Sequence, residues 1–335
     1  MAQQRDVIVS AYATPPRDDI RAMAHDLSLF ESQPYILDVP YHQWMKPEDR
    51  GMAAGPFSRA ADAFRRPSGS ILEGLFERYL PNIEPRSVAL VTFSGGNSFL
   101  NKVIKSEKDR DWIDSIIVLD GLAFNKDWQG NPIPQEYNPW LQFARAAADD
   151  RRLMVLAHTH IAPLSTRVTS TQVAAEFMLR RLEELAPAPR VPSTALDWDL
   201  LDAGPPPPAV TITGGNPRQT RTYDGPPLAA LDEIGNFWSL DYGGTGPTDH
   251  IYVAWYAQRD VWRCFLAPRW NAGIGCRMPA LAGLGQSQYE CEANRVIIPP
   301  GTYPTGSFWL QLGATVGGLA LGTAAGYLFG RALES

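Results

Sequence analysis

The first two thirds of the chain alternate short apolar runs with longer amphipathic segments. Five short, largely apolar runs have the length and composition of buried strands, and they cover residues 7–12, 35–39, 88–93, 115–119 and 153–157. Apolar residues recur at helical spacing in residues 20–30, 70–79 and 97–105, and in a segment that follows Thr169. Thr169 and Gln172 have the spacing of a capping box, which predicts where that last helix begins. The alternation predicts an α/β fold: a mainly parallel sheet with helices on both faces.

The pattern changes after residue 185. Residues 186–208 are rich in proline and end in four consecutive prolines, which fit neither a helix interior nor a central strand. This segment is therefore predicted to be a surface excursion. Further strands at 210–213 and 237–242 and a helix at 251–265 complete a predicted domain of residues 1–268.

An irregular Gly- and Pro-rich linker, residues 269–307, leads to the most apolar segment, residues 308–330. As a helix at about 1.5 Å per residue, this segment would match the roughly 30 Å core of a bilayer. Glycines recur every fourth residue at positions 318, 322, 326 and 330, a stripe typical of close helix packing in membranes. We predict a C-terminal membrane anchor. The alternative is a helix that packs within a homo-oligomer or a larger assembly.

Charge and cysteine content narrow the partners and the compartment. The net charge of −6 argues against a nucleic-acid partner, because phosphate binding requires a basic face. The amino terminus lacks the pattern of a signal peptide, so the body is predicted to be cytoplasmic, held at the membrane by its C-terminal helix. Cys264, Cys276 and Cys291 form neither a disulfide framework nor a CxxC pair, and pairing of Cys276 with Cys291 is left open. No cofactor is predicted.

The most informative motif is the sequence Thr92-Phe93-Ser94-Gly95-Gly96, where a predicted buried strand meets a predicted helix. A serine on so tight a turn needs small neighbours and presents its hydroxyl at the helix N-terminus. The motif resembles the Gly-x-Ser-x-Gly elbow of the α/β-hydrolase superfamily, with Thr92 in place of the first glycine. The resemblance implies that Ser94 is a nucleophile and that the Gly95 N–H is an oxyanion donor. It places the second donor in the loop around Ala13 and Thr14.

The resemblance also implies an acid and then a histidine later in the chain. His250 follows the predicted strand 237–242, in the kind of loop that carries the catalytic histidine of the superfamily. Asp120 ends the strand after the elbow helix, a position used for the acid by a minority of members that includes some lipases. The other candidate acids precede or adjoin His250, and they are Asp197, Asp199, Asp224 and the poorly placed Asp249.

His158 and His160 lie two residues apart, so on a strand both side chains would point to the same side. Three interpretations stay open. The two histidines contact substrate, or they bind a metal ion together with Asp120, or they only make hydrogen bonds at the strand end.

The hypothesis drawn from these patterns is a membrane-anchored serine hydrolase of small-molecule or lipid-like esters, or of related acyl compounds, with Ser94, His250 and Asp120 as its triad. The first alternative is an inactive hydrolase-like subunit of a membrane or virion assembly, because a fold does not fix a function. The second is a metallohydrolase that uses Asp120, His158 and His160.

Overall fold

The computed structural model describes most of the predicted α/β domain. The described residues are 3–12, 30–32, 34–39, 44–49, 54–163, 165–185, 210–213, 222–223, 230–245, 249–250, 253, 257 and 261–272. The Pro-rich segment 186–208, nearly all of the linker 269–307 and the apolar segment 308–330 lie outside them. Among the described residues, no helix has both the length and the hydropathy needed to span a bilayer.

The fold is α/β, built on one nine-stranded sheet in the order β2-β1-β3-β4-β5-β9-β8-β6-β7. Strands β2, β1, β3, β4, β5 and β9 run parallel, which confirms the predicted mainly parallel sheet, whereas β8 and β7 are each antiparallel to a neighbour. The strands are β1 Gln3–Tyr12, β2 Tyr35–Asp38, β3 Ile83–Phe93, β4 Ile113–Leu119, β5 Leu153–His158, β6 Val210–Thr213, β7 Thr222–Tyr223, β8 Ala230–Ile234 and β9 Phe237–Asp241.

Helices connect the strands and cover both faces of the sheet. The helices are α1 Ala54–Phe64, α2 Leu72–Tyr79, α3 Asn97–Ile104, α4 Glu107–Trp112, α5 Pro134–Ala148, α6 Thr171–Leu185 and α7 Ala267–Ala272, the last preceded by a π-helical turn at Trp262–Leu266. Successive strand residues alternate between two apolar clusters, as in Ile8 and Val9. One cluster packs under α1, α2, α3, α5 and α6, and the other under Phe30 and the segment that leads into α7.

Two details differ from the sequence-based expectation. Helix α5 was not predicted, because it begins at Pro134 and contains Pro139, and proline is uncommon within helices. Trp140 of this helix donates a 2.8 Å hydrogen bond to Asn101. The predicted cap of α6 was wrong by one residue. Ser170 accepts from the N–H of Val173, whereas Thr169 accepts from Phe124 N–H at 3.0 Å and so joins the loop after β4 to the start of α6.

A buried carboxylate, Asp109 of α4, holds the start of α2. It is fully buried, accepts from the hydroxyl of Ser70, and accepts from the N–H groups of Ile71 and Leu72 at 2.8 and 3.1 Å. These N–H groups belong to the first turn of α2 and have no partner within the helix. Asp109 therefore joins two helices through groups that would otherwise be unpaired.

We predict that Asp109→Ala lowers the free energy of unfolding by about 3 kcal/mol, because it leaves buried donors without their charged acceptor. Urea denaturation followed by circular dichroism measures the loss. The matched control is Asp111→Ala on the exposed side of the same helix, which should change stability by less than about 0.5 kcal/mol. Equal stability of the two variants would contradict the capping role of Asp109.

Candidate active site

The candidate residues gather at one edge of the sheet because the strands that carry them are parallel. Ser94 follows β3, Asp120 follows β4, and His158 ends β5 next to β9. The chain enters the sheet at β1, adds β2 on one side and then β3 on the other, which makes a topological switch point between β1 and β3. In open α/β sheets, ligands bind beyond the carboxyl ends of the strands at such a point.

Ser94 occupies a sharp turn between strand and helix. Strand β3 ends at Phe93, residues Ser94–Gly96 form one 3-10 turn, and α3 follows at once. The φ angle of Ser94 is 52°, in the left-handed region that few residues other than glycine adopt. Such strain persists only where surrounding structure enforces it, and it is concentrated at active sites and ligand-binding segments. The residue is partly exposed.

Two glycines permit this turn by allowing close backbone approach. A Cβ atom on Gly96 would lie 1.7 Å from the carbonyl oxygen of Ala11 on β1. A Cβ atom on Gly121 would lie 2.7 Å from the carbonyl oxygen of Ser94. The serine turn thus packs closely against both β1 and the turn that carries Asp120. A larger residue in place of either glycine would displace the backbone around Ser94.

Thr92, which replaces the usual first glycine, fits within the strand. It is buried, and its register partner on β1 is the small residue Ala11. Its hydroxyl is buried and has no hydrogen-bond partner within the described part of the chain. The turn therefore forms with threonine at this position, at the expense of one unpaired hydroxyl.

Asp120 is the most highly connected polar residue of the site. Its φ angle is 45°, so it too adopts the left-handed conformation. One carboxylate oxygen accepts from Thr159 N–H at 3.0 Å and from the Thr171 hydroxyl at 2.5 Å. The other accepts from the Thr159 hydroxyl at 2.7 Å and contacts Nδ1 of His250 at 2.7 Å.

These contacts set the charge state of Asp120. Burial by itself raises the pKa of the carboxyl group, but the hydrogen bond and charge of His250, with the hydroxyls of Thr171 and Thr159, outweigh it and hold the pKa below its ordinary value. A carboxylate held ionised in this way can orient an imidazole and stabilise its protonated form.

His250 links Asp120 to the elbow. Its Nδ1 points to Asp120, and its ring packs on that of Phe93 with 4.8 Å between centroids. Phe93 immediately precedes Ser94, so the imidazole lies beside the serine turn. Within the described part of the chain, Ser94 and His250 form no direct hydrogen bond. In unliganded enzymes this contact is often long and shortens when substrate binds.

His158 and His160 lie beside the carboxylate of Asp241. His158 Nε2 lies 3.0 Å from the Ser239 hydroxyl, and His160 Nε2 lies 2.8 Å from Asp241. Asp241 is the register partner of His158 across β5 and β9. Binding of a metal ion together with Asp120 was one of the three interpretations left open from the sequence. In the structure Thr159, between the two histidines in sequence, points the other way and binds Asp120.

The remaining candidates fall into two sets. Gly95 is partly exposed in the turn after Ser94, where its N–H is one of the first of the helical segment and has no partner inside it. Asp249 is adjacent to His250 and lies against Gly244. The other predicted residues lie outside the described part of the chain, namely Ala13, Thr14, Asp197, Asp199, Asp224, Cys276 and Cys291.

Sequence reasoning missed Thr159, Thr171 and Asp241. Thr159 had a usable signal, since it alternates with two histidines at a strand end and must face away from them. The contact between Thr171 and Asp120 joins residues 51 positions apart, and no local pattern reveals it.

Comparison with known proteins adds no identification. No model of a known protein family matches the chain, and no curated protein matches it in sequence. The candidate site consequently rests on its geometry.

The Asp120 contacts predict a pH dependence of stability. Because the pKa of Asp120 is lower in the folded than in the unfolded chain, the unfolded state binds more protons as the solution is acidified. Its contribution is present above about pH 4 and is lost as pH falls through the lower, folded-state pKa. We predict that Asp120→Asn is less stable than wild type at pH 6 and that the gap narrows towards pH 3.

Urea denaturation between pH 3 and pH 7 measures this gap. Asp111→Asn, which alters an exposed carboxylate, should follow the wild-type profile. A gap between Asp120→Asn and wild type that stays constant with pH would contradict the assignment of an ionised, hydrogen-bonded Asp120.

Proposed function

We propose that the protein is a serine hydrolase that cleaves an ester or a related acyl bond by a Ser94–His250–Asp120 triad. The observation that carries the proposal is the 2.7 Å contact between Asp120 and His250 beside a serine held at φ 52°. Nucleophilic acyl transfer uses a serine, an imidazole that takes its proton, and an acid that orients the imidazole. All three lie together here at the edge of a parallel sheet where ligands bind, and the serine is strained.

The mechanism begins with attack of Ser94 Oγ on the acyl carbon. His250 Nε2 takes the hydroxyl proton while its Nδ1–H donates to Asp120. The tetrahedral intermediate collapses when the bond to the leaving oxygen breaks and His250 gives that oxygen the proton. Water then attacks the acyl-Ser94 carbon and loses a proton to His250. When the bond from that carbon to Ser94 Oγ breaks, His250 returns the proton to Oγ and the carboxylic acid leaves.

The oxyanion is stabilised by the Gly95 N–H at the start of the helical segment that continues into α3. This group points out of the first turn, and the helix dipole adds positive potential at the same place. The resemblance places the second donor around Ala13 and Thr14, in the loop after β1. β1 lies directly beside β3, the strand that carries Ser94.

Two features support an α/β-hydrolase-like assignment of the fold. The serine follows a parallel strand on a strained turn into a helix, and the chain order is serine, acid, histidine, as in that superfamily. The acid follows β4, the strand directly beside the nucleophile strand, which is the less common arrangement.

The proposal extends to the C-terminal segment. Residues 308–330 act as a membrane anchor with its glycine stripe as a packing face, and the body acts on small-molecule or lipid-like esters from the cytoplasmic side. The inactive hydrolase-like subunit is the competing function, and the activity test below separates the two.

We predict that the purified full-length protein in detergent micelles hydrolyses 4-nitrophenyl butyrate. Ser94→Ala, His250→Ala and Asp120→Asn should each lower kcat/KM by about 10³-fold or more, because each removes a part of one catalytic unit. Release of 4-nitrophenolate, followed by absorbance, measures the rate.

The matched control is Ser87→Ala, which alters a partly exposed serine in the amino-terminal half of the same strand β3 and should retain wild-type activity. Unchanged hydrolysis by Ser94→Ala would contradict the serine mechanism. A correctly folded wild type that hydrolyses neither this ester nor its acetyl and octanoyl homologues would favour the inactive subunit.

A further inference from the structure

A second cluster of polar side chains lies beside the proposed triad, where β5 and β9 end. It consists of His158, His160 and Asp241, and one ligand atom from each lies within 4.8 Å of the others. The set of two imidazoles and one carboxylate is typical of sites for zinc and related divalent transition metals.

The strands position these groups as a unit. His158 and His160 are two residues apart and face the same side, and Asp241 is paired in register with His158 on the neighbouring strand. Backbone hydrogen bonds fix both segments beyond the strands, from His160 N–H to Gly244 at 2.9 Å and from Tyr242 N–H to His158 at 3.0 Å. The Asp241 carboxylate is fixed in turn by the N–H of Gly243 at 2.7 Å.

The Nδ1 atom of His158 carries the argument. It is buried and has no hydrogen-bond partner within the described part of the chain, although it faces a carboxylate oxygen of Asp241 at 4.0 Å. With the proton on Nε2, donated to the Ser239 hydroxyl at 3.0 Å, the Nδ1 lone pair faces that oxygen. In this tautomer two acceptors lie 4.0 Å apart, and a cation between them would satisfy both.

The groups around His158 suit a metal ligand. A histidine that binds metal through one ring nitrogen donates the other N–H to a neighbouring acceptor, and the buried Ser239 hydroxyl, 3.0 Å from His158 Nε2, can accept that N–H. The carboxylate of Asp241 supplies compensating negative charge.

The three proposed ligands would have to move slightly to bind one ion. Zinc–ligand distances of about 2.0–2.1 Å in a tetrahedron put ligand atoms roughly 3.3 Å apart. His160 Nε2 lies 2.8 Å from Oδ2 of Asp241, slightly closer than this spacing, and His158 Nδ1 lies 4.0 Å from Oδ1, slightly farther. The side chain of His160 is 37% exposed, so it has room to rotate towards the other two ligands.

We propose that His158 Nδ1, His160 and Asp241 bind one Zn²⁺ ion, with a fourth position open to water. The ion would join the ends of β5 and β9. The chain after β5 carries Thr159, which binds Asp120, and the chain after β9 carries His250. The site is separate from the triad, because Asp120 is already bound by Thr159, Thr171 and His250.

Metal content tests the proposal without any need for activity. The full-length protein is stripped with a chelator, exchanged into metal-free buffer and titrated with Zn²⁺ in a calorimeter, and with Co²⁺ while visible absorption is recorded. We expect one ion per chain and the absorption bands of tetrahedral Co²⁺. His160→Ala and Asp241→Asn should weaken Zn²⁺ binding by roughly 100-fold or more.

Two control variants share the chemistry of the ligands. His250→Ala and Asp111→Asn should bind Zn²⁺ as wild type does, because neither residue belongs to the cluster of His158, His160 and Asp241. The proposal is overturned if the stripped wild type binds no Zn²⁺ at 100 µM, or if His160→Ala binds as tightly as wild type. Loss of binding in Asp120→Asn alone would assign the ion to Asp120 instead.

All variants are checked for folding by circular dichroism. A protein that binds Zn²⁺ but has no esterase activity would refute only the triad.

Discussion

The site depends on one buried carboxylate. Asp120 lies at the end of β4 and receives hydrogen bonds from the loop after β5, from the start of α6 and from His250. Removing a charged, buried acceptor leaves its donors unpaired at a cost of several kcal/mol. The three segments therefore keep the relative positions in which all of them bind Asp120. The same residue that orients the imidazole therefore also fixes the edge of the sheet where Ser94 lies.

Parallel pairing turns this local contact into a site. Residues that are far apart in sequence, such as Asp120 and His250, which are 130 positions apart, meet because the carboxyl ends of β3, β4, β5 and β9 share one edge. Alternation at the end of β5 then separates two groups of side chains. Thr159 faces Asp120, whereas His158 and His160 face Asp241 on β9.

The elements readable from sequence were those with local signals. The buried strands 88–93 and 115–119 and the serine turn between strand and helix follow from apolar runs and small residues, and the structure has strands and a turn there. Helix α5 was missed because Pro134 and Pro139 obscure its period. The pairing of His158 with Asp241 depends on β9 lying beside β5, a sheet order that no single segment encodes.

The central claim is that Ser94 is an activated nucleophile, and covalent labelling tests it most directly. The full-length protein is treated with a fluorophosphonate and analysed by intact-protein and peptide mass spectrometry, beside Ser94→Ala and Ser87→Ala. The account predicts one adduct per chain, on Ser94, that is retained in Ser87→Ala and absent in Ser94→Ala. Folded wild-type protein that forms no adduct, or an adduct on another residue, would contradict it.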